Sequence, residues 1–505
     1  MAHFLKATRR LVPVLGLGAL FSVTASVGAQ TSPATTPVRP FSLAECIEMA
    51  LAHNLDIRIE QENPRMARFT LDGDYAAWDP TLRTQLSHDF NSSPGGTDSV
   101  GLIRPNREIN SEAGSVGLTG ALPTGMTYDL AANGRFQDNN NISSEYGSGV
   151  EITVTQPLLK NMWIDNARRT ILLNRRNLRR SELGVSLQAM TVVSQVEQAY
   201  YDLIFSEENL KVQQSALELA QRLLSENKKR VEVGALAPLD EKQAESQVSA
   251  RQADLITAQR QLADQQNALK KLLTDDFSAW RTIYIKPTEK LLPLPQTFDL
   301  QESWRTGIEM RPDLEQQRID LEKQNIELRY TRNQLFPALD LFGSFGQNGL
   351  GPNFGNVTRD IEAGENPTHG YGIRLTIPLG NRAARSDYNN AKSRKEQLLL
   401  QFKKLEQTTI VNIDNAVRLA QSNYEQIEST RKAREYAEAA LDAEQKKLAN
   451  GKSTSFVVLQ LQRDLTSARS AEIRALADYN KALSQLSLNE GTTLQRNKLE
   501  VKVER

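Results

Sequence analysis

The chain has 505 residues, with 61 Lys plus Arg against 61 Asp plus Glu and a single cysteine. A balanced charge without a basic excess argues against a nucleic-acid partner. Lone Cys46 excludes an intramolecular disulfide framework and a cysteine zinc cluster, and His3, His53, His88 and His369 lie too far apart in sequence to favour a histidine metal site, so neither a metal nor another cofactor is expected.

Lys6, Arg9 and Arg10 precede an apolar run from Leu11 to Val23, and Val27-Gly28-Ala29 fits a small-x-small cleavage rule. Residues 1–29 therefore read as a signal peptide cut before Gln30. The run is short of the ~20 apolar residues a membrane anchor needs. No later stretch is apolar enough for a transmembrane helix, so a membrane span in the exported chain must be a β-barrel.

Proline then marks the architecture, because it is excluded from helix interiors. Residues 56–78 read as a helix kinked at Pro64. The segment 80–157 holds Gly, Pro, Asn, Ser and Thr between short alternating runs, the pattern of strands and turns. Four strands are expected there, over 81–90, 114–122, 125–136 and 149–157, with long loops at 91–111 and 137–148. From 158 to 286 only Pro238 interrupts a stretch rich in helix formers. A helix near 165–233 is about 100 Å long at 1.5 Å per residue. It breaks at Val233-Gly234-Ala235-Leu236-Ala237-Pro238, where Gly stops one helix and Pro starts the next, and a return helix follows near 239–273. Val196, Leu203, Leu210, Leu217, Leu224 and Val231 are spaced by seven, as are Val248, Leu255, Leu262 and Leu269, the spacing of a coiled-coil seam.

The order then repeats. Phe41-Ser42-Leu43-Ala44-Glu45 matches Phe298-Asp299-Leu300-Gln301-Glu302 at an offset of 257, and the same offset pairs Asp56 with Asp313 and Pro80 with Pro337. Two strands are expected near 338–346 and 371–378. A long helix near 385–449, a break at Asn450-Gly451-Lys452-Ser453-Thr454 and a return helix near 455–489 complete the second copy. The domains are thus a first repeat over 30–297, a second over 298–490 and a tail over 491–505. In each repeat the short helix and the return helix, stacked end to end, match one long helix in length. Short turns at one end of the strands and long loops at the other are a trait of outer-membrane barrels. Six strands per chain need several copies to close a useful pore, most simply a ring.

Gly451-Lys452-Ser453-Thr454 imitates the tail of a phosphate-binding loop, but Lys446 stands where the first glycine belongs and no strand precedes it. No nucleophile–base constellation emerges, so no catalytic residue is assigned and no enzyme is expected.

The paired Phe-x-Leu-x-Glu openings, Leu335-Phe336-Pro337-Ala338-Leu339 before a strand, Ile377-Pro378-Leu379-Gly380 after one, and the two glycine turns make the mature chain resemble a TolC-like outer-membrane efflux protein. The resemblance implies a mainly α fold with membrane β structure: a duplicated helix–strand–helical-hairpin module, a trimeric β-barrel and a long α-helical periplasmic tunnel. It implies the exit duct of a tripartite efflux or type I secretion system, a passive conduit gated by a periplasmic adaptor (membrane fusion) protein. The further partners it implies are an inner-membrane transporter and outer-membrane lipid. An exported structural coiled coil and an ungated porin are the alternatives. The adaptor-docking residues it points to are Val233, Gly234, Leu236, Leu239, Asp240, Gly451, Ser453, Thr454 and Phe456. Asp240, Glu241, Val457 and Gln460 would line the entrance. Val457 and Gln460 stand where the family often carries acids, and the extra hairpin of the first repeat would give 18 barrel strands instead of the family's common 12.

Overall fold

The computed structural model describes residues 38–499, apart from 98, 104, 141 and 294. The expected signal peptide and residues 500–505 of the expected tail lie outside the described residues.

Chain order alternates short and long elements. Strand β1 (Val38–Phe41) leads into helices α1 (Leu43–His53) and α2 (Leu55–Asp74), then strands β2 (Thr81–Ser93), β3 (Arg107–Ala121), β4 (Thr127–Asn139) and β5 (Ile142–Pro157). Helices α3 (Asn166–Glu232) and α4 (Pro238–Leu273) form the first hairpin, followed by α5 (Phe277–Trp280) and β6 (Tyr284–Pro287). The second copy runs α6 (Leu300–Met310), α7 (Pro312–Asn333), β7 (Ala338–Gly351), α8 (Phe354–Ala363), β8 (Pro367–Thr376), α9 (Arg382–Ala449) and α10 (Ser455–Glu490), and α11 (Thr493–Arg496) closes it. The offset of 257 carries α1 onto α6 and the start of β2 onto that of β7. Beyond the strands it falls to 217, because β3 and β4 have no counterpart in the second copy.

The two long helices, of 67 and 68 residues, are the staves of the structure. At the sheet end α3 is flanked by α2 and α7, and α7 also packs on α9. At the hairpin end α4 and α10 take those places, so the layers run α2–α3–α7–α9 above and α4–α3–α10–α9 below. This leaves α2 and α4 on one flank of the slab and α9 on the other. Helix α2 passes through Pro64 without a break. Seam burial follows the sequence spacing at Val196, Leu203 and Leu217 but then shifts from Leu224 to Leu223, which joins Leu441, Leu448, Val458, Leu459 and Leu465 in a separate cluster. A straight α-helix drifts out of a seven-residue repeat by about 20° per heptad, and the change of neighbour from one hairpin to the other takes up the drift.

The main core sits midway along the staves. Phe41, Cys46, Ile47, Tyr200, Leu203, Leu269, Leu273, Ile285 and Leu494 pack together beneath the parallel pair β1–β6. The Tyr200 hydroxyl donates to the Phe41 carbonyl at 2.9 Å and accepts from the Thr288 amide at 3.3 Å. Burial pushes the Tyr200 hydroxyl and the Cys46 thiol each up to about 12. The tail's first residues are part of this core. Leu494 is buried, Arg496 donates to the Leu483 carbonyl at 3.0 Å and to the Ser487 hydroxyl at 2.8 Å, and Asn497 donates to Glu197 at 3.0 Å.

The other strands form one antiparallel sheet in the order β2-β3-β4-β5-β7-β8. They run further than the alternation of the sequence indicates. Asn91-Ser92-Ser93 pairs with Glu108 and its neighbours, and the segment 137–148 is mostly ladder. Polar side chains read as loop, but backbone pairing does not depend on them. The sheet is tied to the helices by side chains: Arg168 donates to Asp165 at 3.0 Å, to the Met162 carbonyl at 2.8 Å and to the Asn161 carbonyl at 2.6 Å, and Asn381 donates to the Leu335 carbonyl at 3.1 Å. No described helix is long and apolar enough to cross a membrane.

Candidate functional site

Two features stand out: the hairpin tips and the two unlike faces of the sheet. Each long helix ends on a glycine in the left-handed region, Gly234 at φ 76° and Gly451 at φ 70°. At the first tip the Ala235 amide donates to the Arg230 carbonyl at 2.7 Å and the Gly234 amide to the Val231 carbonyl at 2.9 Å. At the second the Lys452 amide donates to the Lys447 carbonyl at 2.9 Å and the Gly451 amide to the Leu448 carbonyl at 3.1 Å. Both are Schellman stops, which need a residue that tolerates positive φ at that place. Nothing lies within 4 Å of a side chain built on either glycine, so the backbone conformation, and not space, selects glycine.

Beyond the turns, Val233, Leu239 and Phe456 are exposed at 78%, 67% and 56%. Gly234, Gly451, Thr454, Val457 and Gln460 are also exposed, and Leu236, Asp240, Glu241 and Ser453 are half-buried. The two tips are joined side by side. Asn227 of α3, almost fully buried, donates to the Asp240 carbonyl of α4 at 3.5 Å and accepts from the Ser455 hydroxyl of α10 at 3.1 Å. Arg230 donates to the Leu448 carbonyl at 3.2 Å. Within the second tip the Ser453 hydroxyl donates to Glu444 at 2.5 Å, and Lys447 bonds the other Glu444 oxygen at 2.9 Å. These bonds, the Ser453 one foremost, hold the Glu444 carboxyl below the ordinary carboxylate range. Sequence reasoning named the turn residues and missed Asn227, Arg230 and Glu444. A signal existed for Asn227: it continues the series Ala199, Ser206, Gln213, Ala220 at seven-residue spacing.

Cross-strand partners in an antiparallel sheet point to the same side, so the register assigns the faces. Leu82, Leu118, Leu130, Ile152 and Phe345 form one row across five strands. The opposite face carries Arg83, Gly117, Ala131, Glu151, Gly346 and Thr368 across all six. The apolar face is solvent-exposed in the single chain, with Leu86, Ile373 and Leu375 among its members. Strands β2 and β8 each have one unpaired edge. His88 and His369 both lie on the apolar face; His88 stands 3.9 Å from Glu112.

The family model described as outer membrane efflux protein matches residues 46–274 and 307–491. Nodulation protein T of Rhizobium leguminosarum bv. trifolii is 21% identical over 319 residues, 61% of this chain, and the match spans 65% of that relative, less than two thirds of its length. Three solved structures share the fold. The Campylobacter jejuni CmeC outer membrane channel aligns with TM-score 0.65 at 16% identity, over 89% of this chain and 86% of its own. VceC of Vibrio cholerae aligns with TM-score 0.64 at 16% identity, over 89% and 96%. The open state of the Neisseria gonorrhoeae MtrE outer membrane channel aligns with TM-score 0.62 at 18% identity, over 91% and 90%.

Proposed function

The chain belongs to the outer membrane efflux protein family, and from that membership and the geometry of its sheet we propose that it is the outer-membrane exit duct of a tripartite efflux or type I secretion system. The observation that carries this reading is the single six-stranded sheet with one apolar face, one polar face and two open edges. An unpaired edge seeks a partner, and closure into a barrel removes edges altogether. Three copies, joined β8 to β2, make a cylinder with its apolar face to lipid and its polar face to water. The helical flanks support the same assembly: α2 exposes Ile59, Met66 and Phe69 on one side of the slab, and α9 exposes Leu400 and Val411 on the other. Residues 1–29 direct export, the barrel lies in the outer membrane, and the staves enclose a periplasmic tunnel.

The duct performs no chemistry, and the energy comes from an inner-membrane transporter. The exposed tips at Val233–Asp240 and Gly451–Phe456 dock a periplasmic adaptor protein, and Asp240, Glu241, Val457 and Gln460 line the entrance. The Asn227–Ser455 and Arg230–Leu448 bonds hold the two hairpins of a protomer together, so an entrance that opens moves each pair of tips as one body or breaks those bonds. Native mass in detergent tests the assembly and planar-bilayer conductance tests the duct. Three chains with a small conductance that rises when tip bonds are cut are expected. A monomer soluble without detergent rejects the assembly. A large constant conductance identifies an ungated porin, and none at all a structural coiled coil.

A further inference from the structure

Helix α8 is inserted between β7 and β8, at the end of the sheet remote from the long helices. A side chain at Gly349 would collide with the backbone of Val357, and one at Gly351 would crowd Asn356, while Val357 itself is fully buried there. Gly349 and Gly351 alternate in phase with Phe345, so α8 packs against the apolar face of the sheet. Gly349 lies eleven residues beyond Ala338, the start of β7. At about 2.5 Å of height per residue of a tilted strand it stands roughly 28 Å above the helical end of the sheet, just past the ~25 Å apolar band of an outer-membrane barrel. The free side of α8 is polar at that height, with Arg359 and Glu362 exposed.

In front of Phe354, the first residue of α8, the same face holds a groove of about 530 Å³. Gly114 and Gly134, cross-strand partners, form its floor. Each lies seven residues from the helical end of its strand, roughly 18 Å up and so in the outer half of the apolar band. Leu86 leans over Gly114, and Phe136 and Tyr146, with ring centroids 4.6 Å apart, wall the groove together with the exposed Phe354. His88 and Glu112, 3.9 Å apart, supply polar groups at its rim. Nothing lies within 4 Å of a side chain built on Gly134, and its φ is outside the left-handed region. Neither packing nor conformation within the chain calls for glycine there; a groove kept open does.

We propose that this groove binds one acyl chain of an outer-leaflet lipid per protomer, with the headgroup beside α8. This rests on the trimeric duct reading above, which turns this face to lipid. The groove is continuous with the apolar row of Leu118, Leu130 and Ile152 and lies at the depth of outer-leaflet chains. Left empty, it would deprive the Phe136 and Tyr146 rings of contacts on one side.

Native mass spectrometry tests this on the full chain, reconstituted in vesicles of phosphatidylethanolamine and phosphatidylglycerol and released in mild detergent. The wild-type trimer is expected to keep three lipids. Gly134→Leu fills the groove and should lower retention about tenfold. Phe354→Ala removes one wall from an exposed position and should lower it in the same direction, which carries the test if Gly134→Leu fails to assemble. Ala132→Leu, on the same face but outside the groove, should retain lipid as the wild type does. Wild-type trimers without lipid, undiminished retention in both groove variants, or equal loss in Ala132→Leu overturns the inference and leaves the duct standing. Trimers that pair with one another and separate in Gly134→Leu would put a second copy in the groove and overturn it as well. A native mass other than three chains removes the trimeric reading and this inference with it.

Discussion

The Ser455 hydroxyl donates to the Asn227 side-chain oxygen at 3.1 Å, linking residues 228 positions apart near the tips of two different hairpins. Both partners are about 1% exposed. Losing a buried hydrogen bond costs about 1–2 kcal/mol where its partner is left unsatisfied. Asn227→Ala is therefore expected to lower hydrogen-exchange protection around both tips and to raise the basal conductance of the reconstituted channel. Ser455→Ala should give a smaller effect in the same direction, and the double variant less than the sum. Unchanged conductance in Asn227→Ala would separate this bond from gating.

The tip glycines answer to backbone conformation alone. Gly234→Ala and Gly451→Ala should each destabilise their turn by about 1 kcal/mol, with Asn in place of Ala milder because it tolerates positive φ. Gly234→Pro is more severe, since proline fixes φ near −65° and removes the amide that bonds Val231. Hydrogen exchange over 230–240 measures the turn. Drug accumulation in cells measures export, which Gly234→Pro should abolish while native mass stays that of the wild type.

Adaptor docking is tested by charge on the exposed apolar tip. Val233→Asp combined with Phe456→Asp is expected to abolish export without lowering thermal stability, because both side chains face solvent in the single chain. Normal drug efflux by this variant would remove these residues from the docking surface.

The second tip should loosen in acid. Glu444 has a folded-state pKa below its unfolded value, so its contribution is present above the unfolded pKa, about 4.3 for a glutamate, and is lost as pH falls through the lower folded value. Exchange protection over 450–454 should fall across that acidic window. Glu444→Gln, which cannot ionise, should flatten the dependence.

The face assignment makes the last prediction. Val116→Arg places a charge on the apolar side and should cost about 2–4 kcal/mol in membrane assembly if it sits near the bilayer midplane, whereas Ser115→Arg, one residue away, should be tolerated. Heat stability of the assembled oligomer on semi-native gels compares them. Equal loss in both variants would contradict the two-faced wall.

Much of this was legible in the chain. Proline gaps and the glycine turns place the four hairpin helices within a few residues, because a missing amide or a forced positive φ acts locally. Helix α8 was missed, although Asn353 at its start, Phe354, Val357 and Ile361 at helical spacing, and Gly364 at its end mark it, because the segment around it reads as strands and turns. The far ends of β2 and β5 were not legible. They are polar, and their partners lie on other strands.

Sequence alone therefore determined the repeat, the long hairpins and their stops, since these depend on residues within a few positions of one another. Only the tertiary structure decided which side of the sheet gathers the apolar rows, that α8 packs against that same side, and that Asn227 ties the two tips. Each of those depends on register between segments far apart in the chain, and a one-residue slip in any pair would have reversed the faces.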